Sequence, residues 1–306
     1  MNFICPTDGK ELVNKSNYLA CPLCKKKFIK EDNLISFLDS EDSFYEGAFK
    51  NSVNFIPSRN VFLNSLAIWT INSGYLYQVK NNFKKGDTLL ELGCAGGVSY
   101  FGDRFKMIGC DLSYSSLQHT KKIYEKCIHA NPLESLPLPS NSVDGVISSF
   151  FWEHLDESGK NKCLKELTRI LKPEAKIIFL YDVKTENPFI KKFILNDPNL
   201  YQEIFLDRDG HVGYASIKNN LDLFKKNNFE IIKNLGYQKT FLVEPSVYIK
   251  FKEWNKLNLL IGFLSNLSSP LLLKPYLFLL RIIDSISFFL PKDWARINLT
   301  ISRVNK

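Results

Sequence analysis

The stretch LLELGCAGGVSYFG, residues 89–102, places four glycines and one acidic residue behind an apolar run. A glycine cluster costs backbone entropy, so it marks a place where the chain must turn sharply or approach another group closely. The apolar run before it, DTLLELG (residues 87–93), predicts a buried strand. Ligands of open α/β sheets bind outside the carboxyl ends of the strands. The glycine loop therefore predicts a ligand site.

Strands and helices alternate beyond this loop. The predicted strands are FKMIGCDLS (105–113), SVDGVISSF (142–150), AKIIFLYDV (175–183), FEIIKNLGYQ (229–238) and RINLTISRV (296–304). The predicted helices between them include YSSLQHTKKIYEKC (114–127) and KNKCLKELTRIL (160–171). This alternation predicts an α/β fold, in which a parallel sheet is covered by helices on both faces.

The bulk composition is that of a folded domain. The chain has 306 residues, of which 45% are hydrophobic and 24% charged, and this excludes collagenous, disordered and coiled-coil classes. The net charge is +8, but the lysines are scattered in pairs, so a nucleic-acid partner is not expected. The seven cysteines include several in predicted core elements, and the first residues do not resemble a signal peptide. We therefore expect a cytoplasmic protein.

Two acidic residues narrow the chemistry of the ligand. The loop matches neither the dinucleotide fingerprint nor a P-loop, because Ala95 and Val98 stand where the fingerprint needs glycine. Glu91 precedes the first glycine, and Asp111 ends the next predicted strand. A carboxylate at the position of Asp111 can accept both hydroxyls of a ribose, and Glu91 suits an ammonium group. S-adenosylmethionine, a nucleoside joined to an amino acid, meets both requirements.

The segments LLELGCAGG, IGCDLSYSSL, ANPLESLPLPSNSVDGVISSFFWEHL and CLKELTRILKPEAKIIF follow one another in residues 89–179. Together they resemble class I S-adenosylmethionine-dependent methyltransferases of the small-molecule, ubiquinone/menaquinone-biosynthesis-like type. The resemblance implies a Rossmann-like class I methyltransferase sheet and is clear over residues 85–181. Ala95 departs from it, because the family usually has glycine there.

The resemblance also implies roles for individual residues. The backbone of Gly93, Cys94 and Gly96 would hold the methionine part of the cofactor. Asp111 would bind the ribose, and Leu112 would pack on the adenine. The family often has an aspartate that meets the adenine amino group. Here Asn131 or Pro132 takes that position, depending on a one-residue shift of the alignment, and Asn131 could accept the same hydrogen bond. Ser148 and Ser149 would flank the sulfonium.

The amino-terminal segment carries a separate candidate metal site. Cys5, Asp8, Cys21 and Cys24 have the outline of a zinc ribbon, in which the aspartate takes the place of the fourth thiolate. We expect one structural zinc ion, although a ribbon that has lost its metal is the alternative. Residues 1–38 thus form a small zinc-ribbon-like β segment. A linker with helices (39–82) and the methyltransferase domain (83–306) follow.

Two histidines are candidate general bases. A hydroxyl acceptor is methylated faster when a base removes its proton. His154 lies in FFWEHLDE after a predicted strand, and His211 lies in DRDGHVGY on a glycine-flanked loop. In the family that this chain resembles, the EHL motif often has a structural role.

A strongly apolar insert, residues 254–291, lies between the last two predicted strands. Charged residues and prolines divide it into pieces too short to span a membrane. Its second piece predicts an amphipathic helix. Arg281, Asp284 and Ser285 share one face, opposite the apolar residues Leu279, Ile282, Ile283, Ile286 and Phe289. The helix is either packed as a lid or dimer face, or it makes peripheral contact with a membrane.

These observations support one leading hypothesis and two alternatives. The leading hypothesis is an S-adenosylmethionine-dependent methyltransferase that acts on a small-molecule, glycan or lipid-intermediate acceptor. The first alternative is an RNA-base methyltransferase with a zinc-ribbon head. The second is a non-catalytic protein that binds the cofactor and docks a partner.

Overall fold

The computed structural model describes residues 2–38, 60–254 and 259–306. Most of the predicted linker, residues 39–59, and four residues of the apolar insert lie outside the described residues. The described chain contains an eleven-stranded sheet with the order β1-β2-β3-β4-β7-β6-β5-β8-β9-β11-β10.

The centre of the sheet is parallel. Its strands are β5 (Thr88–Leu92), β6 (Lys106–Asp111), β7 (Lys126–His129), β8 (Val143–Ser149) and β9 (Leu171–Asp182). Strand β5 pairs with β6 on one side and with β8 on the other, so the strand order reverses beside it. In open α/β sheets a ligand binds at this reversal, outside the carboxyl ends of the strands. The glycine loop follows β5 at that point.

Two antiparallel strands complete this part of the sheet. Strand β11 (Ile297–Val304) lies between β9 and β10 (Phe229–Tyr237) and runs antiparallel to both. The strands β10 and β11 are consecutive in the sequence, and residues 238–296 connect them. In the structure this whole connection, residues 238–296, forms the insert, of which the apolar stretch 254–291 is the larger part.

Helices cover both faces of the sheet. They are α1 (Val61–Thr70), α2 (Tyr75–Asn82), α3 (Ser99–Gly102), α4 (Tyr114–Thr120), α5 (Glu157–Ile170), α6 (Pro188–Asn196), α7 (Pro198–Tyr201), α8 (Ile217–Lys226), α9 (Pro245–Trp254), α10 (Leu259–Ser265) and α11 (Pro270–Ile286). Helices α5 and α8 pack on one face, and α2, α3 and α4 pack on the other. The predicted α/β fold, a Rossmann-like sheet with helices on both faces, is confirmed.

Helix α5 shows how local sequence builds one of these layers. Asp156 caps its first turn, because the Asp156 carboxylate accepts a hydrogen bond from the Gly159 amide at 2.6 Å. Its buried side chains Cys163, Leu164, Leu167 and Ile170 recur at helical spacing, so they form one apolar stripe against the sheet.

The helix predicted over residues 114–127 is shorter than expected. It ends at Thr120, and Lys126–His129 forms strand β7 instead. Cys127 and Ile128 pair with Gly109 and Cys110 of β6 and are fully buried. The pairing of these residues with a neighbouring strand outweighs their local helical pattern.

The amino-terminal segment continues the main sheet. Its strands are β1 (Val13–Asn14), β2 (Tyr18–Ala20), β3 (Lys27–Glu31) and β4 (Leu34–Ser36). Strand β4 pairs in parallel with β7, where Leu34 lies opposite Cys127 and Ser36 opposite His129. The ribbon-like segment is therefore hydrogen-bonded to the sheet, and the domain boundaries at residues 38 and 82 stay predictions.

The insert adds a third apolar core beside the sheet. Helices α6, α9, α10 and α11 pack together around Tyr248, Phe251, Ile261, Tyr276 and Leu280. No helix of the described residues has the length and apolar content needed to cross a bilayer.

Candidate active site

The glycine loop adopts a left-handed backbone at three positions. The φ angles are +61° at Gly93, +44° at Ala95 and +75° at Gly97. A Cβ atom on Gly93 would lie 2.9 Å from the Phe151 ring, so glycine is required there. Ala95, the predicted departure from the family pattern, adopts a conformation that costs a non-glycine residue about 1–2 kcal/mol.

Two polar side chains hold Ala95 in this conformation. The Asp111 carboxylate accepts a hydrogen bond from the Ala95 amide at 2.7 Å, and the Thr120 hydroxyl donates to the Ala95 carbonyl at 2.6 Å. The other Asp111 oxygen accepts from the Ser113 amide at 2.9 Å. Asp111 therefore fixes both the loop and the turn that follows β6.

Glu91 lies beneath the loop in a buried network. The Tyr124 hydroxyl donates a hydrogen bond to the Glu91 carboxyl group and accepts one from the Val98 amide at 2.9 Å. The pKa of Glu91 is raised to about 8, mainly by burial; the Tyr124 hydrogen bond opposes this rise, and the nearby Asp111 charge adds to it. With that pKa, the Glu91 carboxyl is mostly protonated at neutral pH.

A cavity of about 860 Å³ opens at the loop. Five of the predicted cofactor residues form part of its wall, namely Gly93, Asp111, Leu112, Asn131 and Ser149. The other four, Glu91, Cys94, Gly96 and Ser148, are buried behind that wall. The Ser148 hydroxyl, for example, donates to the Leu92 carbonyl at 2.9 Å. The structure thus brings all nine together, while their individual roles stay predictions.

The polar and apolar groups of the cavity wall suit the parts of S-adenosylmethionine. The side-chain-free backbone at Gly93 leaves room beside β5, and the Asp111 carboxylate faces the cavity one strand away. Each carboxylate oxygen can accept more than one hydrogen bond, so the contacts of Asp111 to Ala95 and Ser113 leave capacity for ribose hydroxyls. Leu112 adds an apolar surface for a base. The Asn131 carbonyl oxygen already accepts from the Leu133 amide at 3.0 Å.

The two predicted histidines meet at another part of the same cavity. The ring centroids of His154 and His211 are 5.1 Å apart, with the ring planes at 77°. Their segments are joined because the Gly213 amide donates to the Glu153 carbonyl at 2.8 Å. Burial is the largest cause that lowers the pKa of each imidazole from its ordinary value. Both rings are therefore mostly neutral at neutral pH and able to take up a proton.

Several polar residues of the cavity were missed by the sequence analysis. They are Glu153, Asp182, Tyr201, Arg208, Asp209, Tyr214, Glu244, Lys250 and Arg296. Asp182 ends strand β9, so the strand-end rule could have found it. Glu244 and Lys250 come from the insert, whose position over the sheet has no local sequence signal.

Arg296 joins two of these missed residues. Its guanidinium lies 3.1 Å from the Asp182 carboxylate and 3.4 Å from that of Glu244. Its Nε donates to the Gln238 side chain at 2.9 Å. The ion pairs connect the end of β9 to the insert across the cavity wall.

The predicted metal residues of the ribbon also come together. The candidate ligand atoms of Cys5, Asp8, Cys21 and Cys24 all lie within 4.8 Å of one another. The Cys21 thiol donates to the Asp8 carboxylate at 3.0 Å, and this contact is the largest cause that lowers the pKa of Asp8 to about 2. Sulfur and oxygen donors in this number suit a structural zinc ion, which stays a prediction.

Comparison with protein families identifies one domain. Residues 90–179 match the family model described as a methyltransferase domain. No protein of curated function matches the chain in sequence.

Solved structures match over most of the chain at low identity. A putative methyltransferase from Bacillus halodurans C-125 has 15% identity and a TM-score of 0.50, covering 78% of this chain and all of the other. A putative sarcosine dimethylglycine methyltransferase from Galdieria sulphuraria has 16% identity and a TM-score of 0.49, covering 80% and 88%. The geranyl diphosphate C-methyltransferase from Streptomyces coelicolor A3(2), solved with S-adenosyl-L-homocysteine, has 12% identity and a TM-score of 0.47, covering 75% and 74%.

Proposed function

We propose that this chain, a class I S-adenosylmethionine-dependent methyltransferase, transfers the methyl group to a hydroxyl of a small-molecule acceptor. One observation carries the choice of a hydroxyl. Two half-buried imidazoles, His154 and His211, line the same cavity as the glycine loop. Methyl transfer to a hydroxyl benefits from a base, and a neutral imidazole is the commonest one.

The residues of the loop and of β6 bind and orient the cofactor in this proposal. When bound, S-adenosylmethionine supplies an electrophilic methyl group on a sulfonium. Asp111 holds the loop closed through the Ala95 amide and offers its remaining acceptor capacity to the ribose. The aromatic rings of Phe150 and Phe151 line the cavity beside the loop and exclude water from it. Alignment and exclusion of water are the main contributions that a protein makes to such a displacement.

The histidines act on the acceptor. His211 or His154 would take the hydroxyl proton as the acceptor oxygen displaces sulfur from the methyl carbon, which would leave S-adenosylhomocysteine. Because burial keeps both imidazoles mostly neutral, each can accept a proton at neutral pH. His154 is held in place by a contact of 3.1 Å between its Nδ1 and the Gly210 carbonyl oxygen. His211 packs on the Tyr214 ring.

The rest of the cavity supports an acceptor with both an apolar and a polar part. Ile190, Phe205 and Val247 line it together with Arg208 and Lys250. Such a wall suits a small amphipathic molecule, and a glycan or lipid intermediate with a hydroxyl of this kind falls within the proposal.

The test uses labelled cofactor and a fractionated cell extract. We expect a labelled methyl ether as the product. His211→Gln or His154→Gln should lower kcat by a factor of about 10² to 10⁴, the usual contribution of a general base. His119 is exposed on α4, so His119→Gln is the matched control and should leave kcat unchanged.

Two results would overturn the proposal. One is a product methylated on nitrogen, carbon or sulfur. The other is an unchanged rate of ether formation in a His154→Gln/His211→Gln double variant that still binds S-adenosylmethionine.

A further inference from the structure

A second cluster of metal-ligating groups lies in the cavity, far in sequence from the ribbon. Glu153, His154 and His211 each offer one ligand atom, and these atoms lie within 4.8 Å of one another. All three residues line the cavity that contains the glycine loop. Two imidazoles and one carboxylate are a common donor set for a catalytic transition-metal cation.

The Glu153 carboxyl group is incompletely satisfied within the described residues. Its Oε1 accepts from the Asp182 amide at 3.3 Å, while its Oε2 is buried and has no hydrogen-bond partner among them. The ammonium group of Lys160 donates to the Gly213 carbonyl at 2.6 Å and to Asn220 at 3.0 Å. A buried carboxylate oxygen left in this way is costly unless a cation or a donor reaches it.

A backbone carbonyl sets the orientation of the His154 ring, as is common for metal-binding histidines. Its Nδ1 lies 3.1 Å from the Gly210 carbonyl oxygen, which can only accept, so Nδ1 carries the hydrogen. In a neutral ring, Nε2 then carries the lone pair. A backbone carbonyl on the second ring nitrogen is the arrangement that fixes the tautomer of metal-binding histidines.

We propose that Glu153, His154 and His211 bind one divalent transition-metal cation in the wall of the acceptor cavity. Bonds of about 2.1 Å place ligand atoms up to about 4 Å apart, so the side chains must close by less than about 1 Å. Three protein ligands leave at least one coordination position open toward the cavity, as catalytic metal sites do.

The site narrows the acceptor class, and this part rests on the proposed function. An open coordination position binds an acceptor through oxygen, and two neighbouring oxygens bind better than one. The preferred acceptor therefore carries a hydroxyl beside a second hydroxyl or a carboxylate. With the cation bound, His154 and His211 promote loss of the hydroxyl proton to water through the metal that they hold, so the hydroxyl stays the acceptor group and the histidine variants should still lower kcat.

The test is a titration of the chelator-treated full chain with Mn²⁺, followed by electron paramagnetic resonance. Mn²⁺ prefers oxygen and nitrogen over thiolate ligands, so the titration reports this cluster and not the ribbon. We expect one Mn²⁺ per chain in the wild type, in the ribbon variant Cys21→Ser and in His119→Gln. Glu153→Gln and His211→Gln should each weaken Mn²⁺ binding at least tenfold.

A thermal scan of each variant shows whether that variant is folded, so a folding defect is not mistaken for the loss of the metal site. Mn²⁺ should raise the Tm of the wild type and of His119→Gln, but not that of Glu153→Gln or His211→Gln. The absence of bound Mn²⁺ in a folded wild type, or equal binding by all variants, would overturn the proposal. Binding without ether formation in any extract would leave the metal site standing and refute the proposed function instead.

Discussion

The single residue Asp111 both shapes the glycine loop and lines the cavity. Its carboxylate accepts from the Ala95 amide and from the Ser113 amide, so it shapes the loop before any ligand binds. Ala95 in turn adopts a positive φ that the loop requires. Asp111, together with Thr120, thus preorganises the loop, and Asp111 also lines the cavity.

Replacing Asp111 should weaken cofactor binding. In Asp111→Ala the loop loses its tie and the ribose loses its acceptor. We expect the Kd for S-adenosylmethionine to rise at least tenfold, which is about 1.4 kcal/mol, as measured by calorimetry. Asp103 is exposed at the end of α3, so Asp103→Ala is the control. Equal affinities in the wild type and Asp111→Ala would refute the role of Asp111 in the cofactor site.

Glu91 makes stability depend on pH. Its pKa is raised from 4.5 to about 8 in the folded chain, mainly by burial. Between these values the folded chain keeps a proton that the unfolded chain releases. The stabilisation is therefore fully present below about pH 4.5 and is lost as the pH rises through about 8. Each unit of difference between the folded and unfolded pKa values changes the free energy of unfolding by about 1.4 kcal/mol at most.

Glu91→Gln should remove this dependence. The amide oxygen of glutamine still accepts from Tyr124, and the amide never ionises. In urea unfolding at several pH values, we expect the free energy of unfolding of the wild type to fall relative to Glu91→Gln between pH 5 and pH 8. A constant difference over that range would mean that Glu91 does not titrate as described.

Among the secondary-structure elements, the amino-terminal ribbon is the first whose arrangement predicts a ligand. Its four donors converge although they come from two separate turns of the segment. The Cys5 and Cys24 sulfurs lie 3.7 Å apart, within the range that a tetrahedral zinc ion of 2.3 Å bonds would allow.

We predict about one zinc per purified chain. Cys21→Ser should remove the zinc and lower the Tm, because metal binding holds the two turns of the ribbon together. Cys127 is a buried thiol in β7 and serves as the control, so Cys127→Ser should keep its zinc. Metal analysis that finds no zinc in the wild type, with an unchanged Tm in Cys21→Ser, would show an empty ribbon.

Helix α11 is the second such element. Its charged residues Arg281 and Asp284 are turned toward the protein, whereas an amphipathic helix usually buries its apolar face. Arg281 and Asp284 are buried against the protein, where Arg281 donates to the Trp69 carbonyl at 3.1 Å and Asp284 accepts from the Gln238 amide at 2.6 Å. The opposite face is exposed, with 47% of Leu279 and 59% of Ile286 accessible to solvent. Within the described residues, the apolar face is therefore not packed in the core. Contact with a membrane stays a prediction.

We expect the full chain to co-sediment with anionic vesicles through this face. Lys274 and Lys292 are exposed near it and can contact the headgroups. Leu279→Asp with Phe289→Asp should abolish co-sedimentation and leave the protein soluble, because both side chains are exposed. Ile29→Asp, at an exposed apolar residue of the ribbon, is the control. Wild type that remains in the supernatant would contradict the prediction.

Arg296 links distant parts of the molecule through two ion pairs. It connects Asp182 of the sheet to Glu244 of the insert, so it ties the third apolar core to the cavity. Removing one partner of a largely buried ion pair leaves the other charges uncompensated.

We predict that Arg296→Met lowers the free energy of unfolding by about 3 kcal/mol or more. The measurement is chemical denaturation at neutral pH. Arg303 pairs with Glu174 and Glu230 on the surface, so Arg303→Met should change stability little. Equal effects of the two substitutions would mean that the buried network does not hold the insert in place.

The parallel sheet, the glycine loop and the neighbourhood of the cofactor site could all be predicted from the sequence. The reason is that these features depend on short-range patterns. The apolar run of β5, the loop after it and Asp111 at the end of β6 lie within 24 residues of one another. Strand ends of a parallel sheet must share one edge, so the order of the motifs predicts their meeting in space.

The features that join distant segments could be recognised only in the folded chain. The pairing of β7 with β6 converted the end of a predicted helix into a strand. The meeting of His154 and His211 with Glu153, and of Arg296 with Glu244, depends on how residues 201–214 and the insert fold over the sheet. The outward apolar face of α11 follows from the partners of Arg281 and Asp284. A local pattern gives a helix two faces, but which face is buried depends on the surface it meets.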